Sequence, residues 1–197
     1  MIFPDKRFKM DFRGAATVKG NDMYNRVLYV AAAVFAAVVL SGCLFNGSSH
    51  IPAVSHFDAE KYMGRWYEYA RLPNRFEKGM SHVTADYSMR RDGKIKVVNS
   101  GIKNGRTKSI EGKARTVSGK EGTGELEVSF FPPFYSPYRV IMMSEDGDTV
   151  VVTGGSMDYL WILSREPGTP DNIAEIISFL KTRGYPVEKL IYPAQKS

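Results

Sequence analysis

Between residues 64 and 164 the sequence breaks into eight short segments in which apolar and polar side chains alternate, each closed off by turn-forming residues. They span 65–70, 83–89, 94–100, 107–117, 125–131, 138–144, 149–153 and 159–164. Asp92-Gly93 and Asp146-Gly147 mark tight hairpins, because both residue types tolerate positive φ, and Gly154-Gly155 breaks the seventh segment. Eight short antiparallel strands in one sheet leave two unpaired edges unless the sheet curls round to meet itself. The pattern therefore predicts an all-β fold, an eight-stranded antiparallel up-and-down β-barrel.

The period then changes once. Thr169-Pro170-Asp171 has the chemistry of a helix start, with a capping hydroxyl, a proline in the first turn and an acid near the positive end of the dipole. Ile173, Ile176, Ile177 and Leu180 fall on one stripe, and Gly184 and Pro186 end it. A helix greasy along one side can only lie against the outside of the barrel. Residues 189–192 are a candidate ninth strand.

Composition narrows the function. The 197 residues carry one cysteine, so no intramolecular disulfide forms, and Cys43 with His50, His56 and His82 gives no zinc-ligand spacing and no metal site. The formal charge is +6, but half of that surplus lies before residue 43, where Lys6, Arg7, Lys9, Arg13, Lys19 and Arg26 outnumber Asp5, Asp11 and Asp22. Later charges are interspersed and not gathered into a stripe, which argues against nucleic acid as a partner.

Residues 27–40 are fourteen uncharged residues, VLYVAAAVFAAVVL. As a helix they would span about 21 Å, short of the roughly 30 Å hydrocarbon core of a bilayer. A short apolar run after basic residues and before small ones reads as an export signal. The sequence that follows, Leu40-Ser41-Gly42-Cys43, is similar to the lipobox of bacterial lipoproteins, in which the cysteine is acylated and becomes the first residue of the mature chain. On that resemblance residues 1–42 are a signal peptide whose true start is Met10 or Met23, and residues 43–55 a lipidated tether. More than one acyl chain makes such anchoring stable. Leu44, where an aspartate would imply inner-membrane retention, points to the outer membrane, facing the periplasm.

Two motifs lie at the ends of the strand series. Gly64-Arg65-Trp66 opens the first strand, and Asp158-Tyr159-Leu160-Trp161-Ile162-Leu163-Ser164-Arg165 closes the last with an arginine just before the helix. Together with eight strands and one helix in that order, they resemble the lipocalin family, in particular the bacterial lipoprotein lipocalins related to apolipoprotein D. The resemblance covers residues 56–193, within a barrel domain of 56–197. It implies that Arg165 packs over Trp66 to close the barrel bottom and that Gly64 lets the backbone pass beneath, as structural and not binding residues.

If Trp66 faces inward, the same phase selects Val83, Ala85, Tyr87, Ile95, Val97, Asn99, Leu126, Val128, Phe130, Tyr138, Val140, Met142, Tyr159, Trp161 and Leu163. Alternation alone leaves two readings, a barrel filled by its own side chains and one lined for a ligand; the resemblance favours the second. The implied ligand is a fatty acid, lysophospholipid or similar amphiphile, stored or transported in upkeep of the cell envelope. No cofactor is implied. Arg71, Arg75 and Lys78, after the first strand, are either a solvated basic loop or partners for a lipid headgroup. The alternatives are a carrier of haem or another apolar cofactor, and a lipid-modifying enzyme. Against an enzyme stand the lack of a Gly-x-Ser-x-Gly elbow and of any histidine in the inward set, with Glu68 the only carboxylate in Trp66's phase.

Overall fold

A computed structural model describes residues 51–195. The export segment and Cys43 lie outside the described residues. The strands are β1 (Gly64–Arg71), β2 (Met80–Met89), β3 (Ile95–Lys103), β4 (Arg106–Thr116), β5 (Glu125–Phe131), β6 (Phe134–Met143), β7 (Thr149–Thr153) and β8 (Leu160–Ser164). Each pairs antiparallel with its neighbours in sequence, and β8 returns to β1, so the barrel is closed. Up-and-down order puts the β1–β2, β3–β4, β5–β6 and β7–β8 connections at one end, the open end. The other end is covered by a one-turn helix, α1 (Ala59–Tyr62), capped by the Asp58 carboxylate, which accepts from Glu60 N–H at 2.9 Å.

Two apolar clusters hold the fold, one on each side of the sheet. Inside lie Trp66, Tyr62, Tyr87, Val97, Leu126 and Val140. Outside, the stripe of α2 (Ile173–Thr182) buries Ile176 and Leu180 against Ala70, Val151, Leu160 and Ile162. Burying a side chain of that size contributes about 1.5–3 kcal/mol. β7 shows the two-sided demand most clearly: Val150 and Val152 face in and Val151 faces α2, so the strand is apolar without alternation.

Three local expectations are revised. The helix starts at Ile173, because Asp171 and Asn172 form a turn in which Ile173 N–H donates to Pro170 O at 3.1 Å. It ends as predicted at Gly184 (φ 81°), where Gly184 N–H reaches Lys181 O and Tyr185 N–H reaches Leu180 O, a Schellman cap. β6 begins at Phe134, four residues early, since Phe131 pairs with Phe134 across the Pro132-Pro133 turn and Pro137 sits in the strand opposite Glu127. Three prolines between Phe131 and Tyr138 argue against a strand in the sequence. The candidate ninth strand reduces to one bridge: a 3₁₀ turn (Val187–Lys189) precedes Ile191, which exchanges backbone hydrogen bonds with Arg71 at 2.8 and 3.0 Å.

Residues 51–55, read as part of a tether, reach the barrel: Ile51 joins the outer cluster, and Val54 bonds Val140 and Gly124 through its backbone. The C-terminal tail has a parallel role. β1 and β2 pair only as far as Tyr67 with Thr84, and the tail fills the gap beyond. There Ala194 O accepts from His82 N–H at 2.6 Å, and Gln195 Nε2 donates to Glu68 O at 2.6 Å and Val83 O at 3.2 Å.

Candidate functional site

The closed end is built on Trp66. Arg165 lies 3.8 Å from the indole centroid, and its guanidinium also donates to Arg65 O at 3.0 Å and Lys61 O at 2.7 Å. A cation held over an indole contributes about 1–2 kcal/mol when partly desolvated. Burial pulls the Arg165 pKa down from its ordinary value. Gly64 has φ 97°, and a Cβ there would stand 3.2 Å from the Arg165 guanidinium, so glycine meets both a backbone and a space requirement. Trp66 Nε1 donates to Tyr62 O at 2.9 Å, tying the plug helix to the strand it covers.

Above Trp66 three phenols form a floor. The Tyr138 hydroxyl is 2.6 Å from that of Tyr62 and 2.9 Å from that of Tyr87. Burial raises all three pKa values, that of Tyr87 to about 12, so all stay protonated and able to donate. The void among them and Ile95, Val97, Ala114, Leu126 and Val128 measures about 10 Å³. That is room for one water at most. The barrel around and below the phenols is therefore filled by its own side chains.

The upper half is a cup with unlike walls. On the β3–β5 side Phe130 faces in beyond Val128, which borders the void below, and Val83 stands beside Gly101. Ile110 is in phase with Ala114 and opposite Asn99, yet 40% exposed, so the mouth is open to solvent. Asn99 Oδ1 is buried with no hydrogen-bond partner. The β8–β1 wall is polar. Glu68 faces inward in the phase of Trp66, a bulge between Glu68 and Ala70 brings Arg71 inward beside it, and the Arg71 guanidinium donates to the buried Glu68 carboxyl. Arg71 Nη2 also donates to Glu77 O at 2.8 Å, and the Glu77 carboxylate accepts from Trp161 Nε1 at 2.9 Å and from Asn74 Nδ2 at 2.6 Å. Burial, then the neighbouring Glu77 charge, outweighs Arg71 and pushes the Glu68 pKa up to about 8.

Most of the predicted inward set stands in or beside the inner cluster: Ala85, Tyr87, Ile95, Val97, Leu126, Val128, Phe130, Tyr138, Val140, Trp161 and Leu163. Tyr159, just before β8, stacks on Trp161 at 6.2 Å. Met142 is a correction: a bulge between Val140 and Met142 sends Met142 to the outer cluster and Met143 inward. Arg71 is another: it is the last residue of β1, buried and ion-paired, not a loop cation. Arg75 and Lys78 are exposed on the β1–β2 loop. Residues missed in the sequence are Tyr62, Val150, Val152 and the inward face of β4. The last was visible as Ile110, Gly112 and Ala114 at period two; exposed polar neighbours obscured it.

Comparison with known proteins agrees with this architecture. The chain is 43% identical over 174 residues to "Outer membrane lipoprotein Blc" of Citrobacter freundii, covering 86% of this chain and 98% of that one. It is 42% identical to the protein of the same name from Vibrio cholerae, covering 83% and 96%. Rat apolipoprotein D is 36% identical over 66% of this chain and 70% of its own. In fold it is similar to insecticyanin from the tobacco hornworm Manduca sexta (TM-score 0.60, 22% identity, 75% and 85% covered). Lobster apocrustacyanin A1 is similar too (TM-score 0.59, 16% identity, 75% and 91% covered). The lipocalin-like domain family matches residues 57–195, the stretch that runs from the plug helix through the closed barrel to the tail, and the chain belongs to that family.

Proposed function

We propose that this protein is a membrane-tethered lipocalin that takes one amphiphile, a fatty acid or lysophospholipid, into the upper half of its barrel. The carrying observation is a closed barrel whose floor is sealed by phenols while apolar Ile110, in the inward phase above it, stays 40% exposed. An acyl chain laid on that apolar wall gains about 25 cal/mol for each Å² taken from water. Asn99 Oδ1, without a partner inside the cup, is an acceptor for a hydroxyl or ammonium of the ligand head. In this reading residues 1–42 direct export, Cys43 carries the lipid, and the protein sits at the outer membrane facing the periplasm. The name of the bacterial relatives, outer membrane lipoprotein, supports that placement.

Residues 44–197, purified from bacterial cells and extracted with organic solvent, should release fatty acids or lysophospholipids identifiable by mass spectrometry. Ile110→Glu puts a charge on the apolar wall at a position that tolerates water, so it should fold normally and bind a fluorescent fatty acid at least about tenfold more weakly. An empty extract together with no uptake by the wild type would sink the carrier reading. Separately, Cys43→Ala should move the full chain from the membrane to the soluble fraction of the envelope, and retention in the membrane would remove the anchor.

A further inference from the structure

The open end carries features that enclosing a ligand does not require. Phe76 on the β1–β2 loop is 62% exposed, and Phe131 at the β5–β6 turn is 67% exposed, with Phe134 beside it at 54%. In an eight-stranded ring these two connections stand on opposite sides of the mouth. Phe76 is held outward by construction: Asn74 Oδ1 accepts from the N–H groups of Phe76 and Glu77, and Glu77 is pulled inward to Arg71 and Trp161. Around the same rim lie Arg75, Lys78, Lys103 and Arg106, none ion-paired to a carboxylate among the described residues, while the exposed acid of the open-end loops is Asp158. The Arg75 guanidinium lies 4.9 Å from the Phe76 ring centroid, so charge and aromatic tip move together.

We propose that the open rim docks mouth-first on an anionic phospholipid surface. The phenylalanine tips enter between headgroups, and the four cations face lipid phosphates. Aromatic tips encircled by unpaired cations match a surface that is apolar just below a layer of negative charge. The inference rests on the tether reading, which supplies proximity: from Cys43 to Ile51 the chain reaches at most about 28 Å. Docked this way, an amphiphile passes between bilayer and cup without crossing water.

The test uses residues 44–197 and two vesicle types, one of three parts phosphatidylethanolamine to one part phosphatidylglycerol, the other of phosphatidylcholine alone. The wild type should co-sediment with the anionic vesicles, less so as salt rises. Phe76→Ser/Phe131→Ser and, separately, Lys103→Glu/Arg106→Glu should each lower that binding about tenfold. Uptake of a fluorescent fatty acid in vesicle-free solution should be unchanged in Phe76→Ser/Phe131→Ser. Equal binding to both vesicle types, or wild-type binding by both double variants, overturns the proposal. So does a dimer in analytical ultracentrifugation that the phenylalanine variant splits, with no vesicle binding: the rim would then be covered by a second copy. Lost docking with intact uptake defeats this inference alone; lost uptake with intact docking defeats the carrier reading alone.

Discussion

The two halves of this barrel use similar residues for opposite purposes. At the closed end aromatic rings turn inward and are pinned: Trp66 lies under Arg165, and Tyr62 packs 5.1 Å from Trp66 and 5.2 Å from Tyr87. At the open end Phe76 and Phe131 turn to solvent. Charge follows the same division. Near the closed end acids and bases are mixed and paired in place, as in Arg65–Asp86 at 2.8 Å and the Asp92 cluster with Arg90 and Lys94. The open rim is basic. A barrel that must be rigid at one end and accessible at the other concentrates its packing energy below and leaves its upper wall uncommitted.

Trp66→Ala breaks the comparison most directly. The indole is fully buried, carries the Arg165 stack and anchors the plug helix through Tyr62 O. Its loss should cost about 3–5 kcal/mol in urea unfolding. Phe76→Ser removes a ring of comparable bulk from the rim, and its effect should stay within about 0.5 kcal/mol. Similar costs at the two positions would mean that the rim is packed in solution and the division between halves is wrong.

Glu68 sharpens the comparison, because it brings the burial of the lower half into the polar wall of the upper. With Glu77 close by, two carboxylates share one guanidinium, and the Glu68 pKa rises to about 8. A carboxyl whose folded pKa exceeds its unfolded one holds its proton more tightly when native. Its contribution to stability is full below the ordinary carboxylate range and is lost as pH rises through about 8. The wild type should therefore lose on the order of a few kcal/mol between pH 4 and pH 9, read from urea midpoints, through this site. Glu68→Gln should flatten that slope while keeping a hydrogen-bonding partner for Arg71. A slope unchanged in the variant would show that the proton is held elsewhere.

What the sequence revealed follows the same division. Where a strand has one face in the core and one in water, alternation reports both, so β2, β3 and β5 were placed with their inward residues. It failed where a bulge shifts the phase, as at Met142 and at Arg71, since an extra residue leaves no mark in composition. In β7, where both faces are buried, the strand was legible at 149–153 but alternation did not single out its inward Val150 and Val152. The Gly64, Trp66 and Arg165 contact, with one hundred residues between Arg65 and Arg165, was reachable through family resemblance and not through periodicity. Glu68 and Trp161 were legible as inward residues, but their meeting with Arg71 and Glu77 was not. It needs a bulge, a folded-in loop and two distant strands to meet.

The phenol floor sets the depth of the cup, and Tyr138→Phe tests it with the smallest perturbation. The Tyr138 hydroxyl is the shared partner of Tyr62 and Tyr87, whose own hydroxyls are buried. Removing one oxygen leaves ring packing intact but strips both neighbours of that partner, a cost of about 1–2 kcal/mol in urea unfolding. The same change weakens the bonds that hold the floor shut over a void of about 10 Å³. If the floor limits how far an acyl chain descends, the variant should favour longer fatty acids over shorter ones relative to the wild type, in a displacement series across chain lengths. A stability loss with no change in chain-length preference would place the ligand wholly above the phenols, leaving them a structural seal between the two halves.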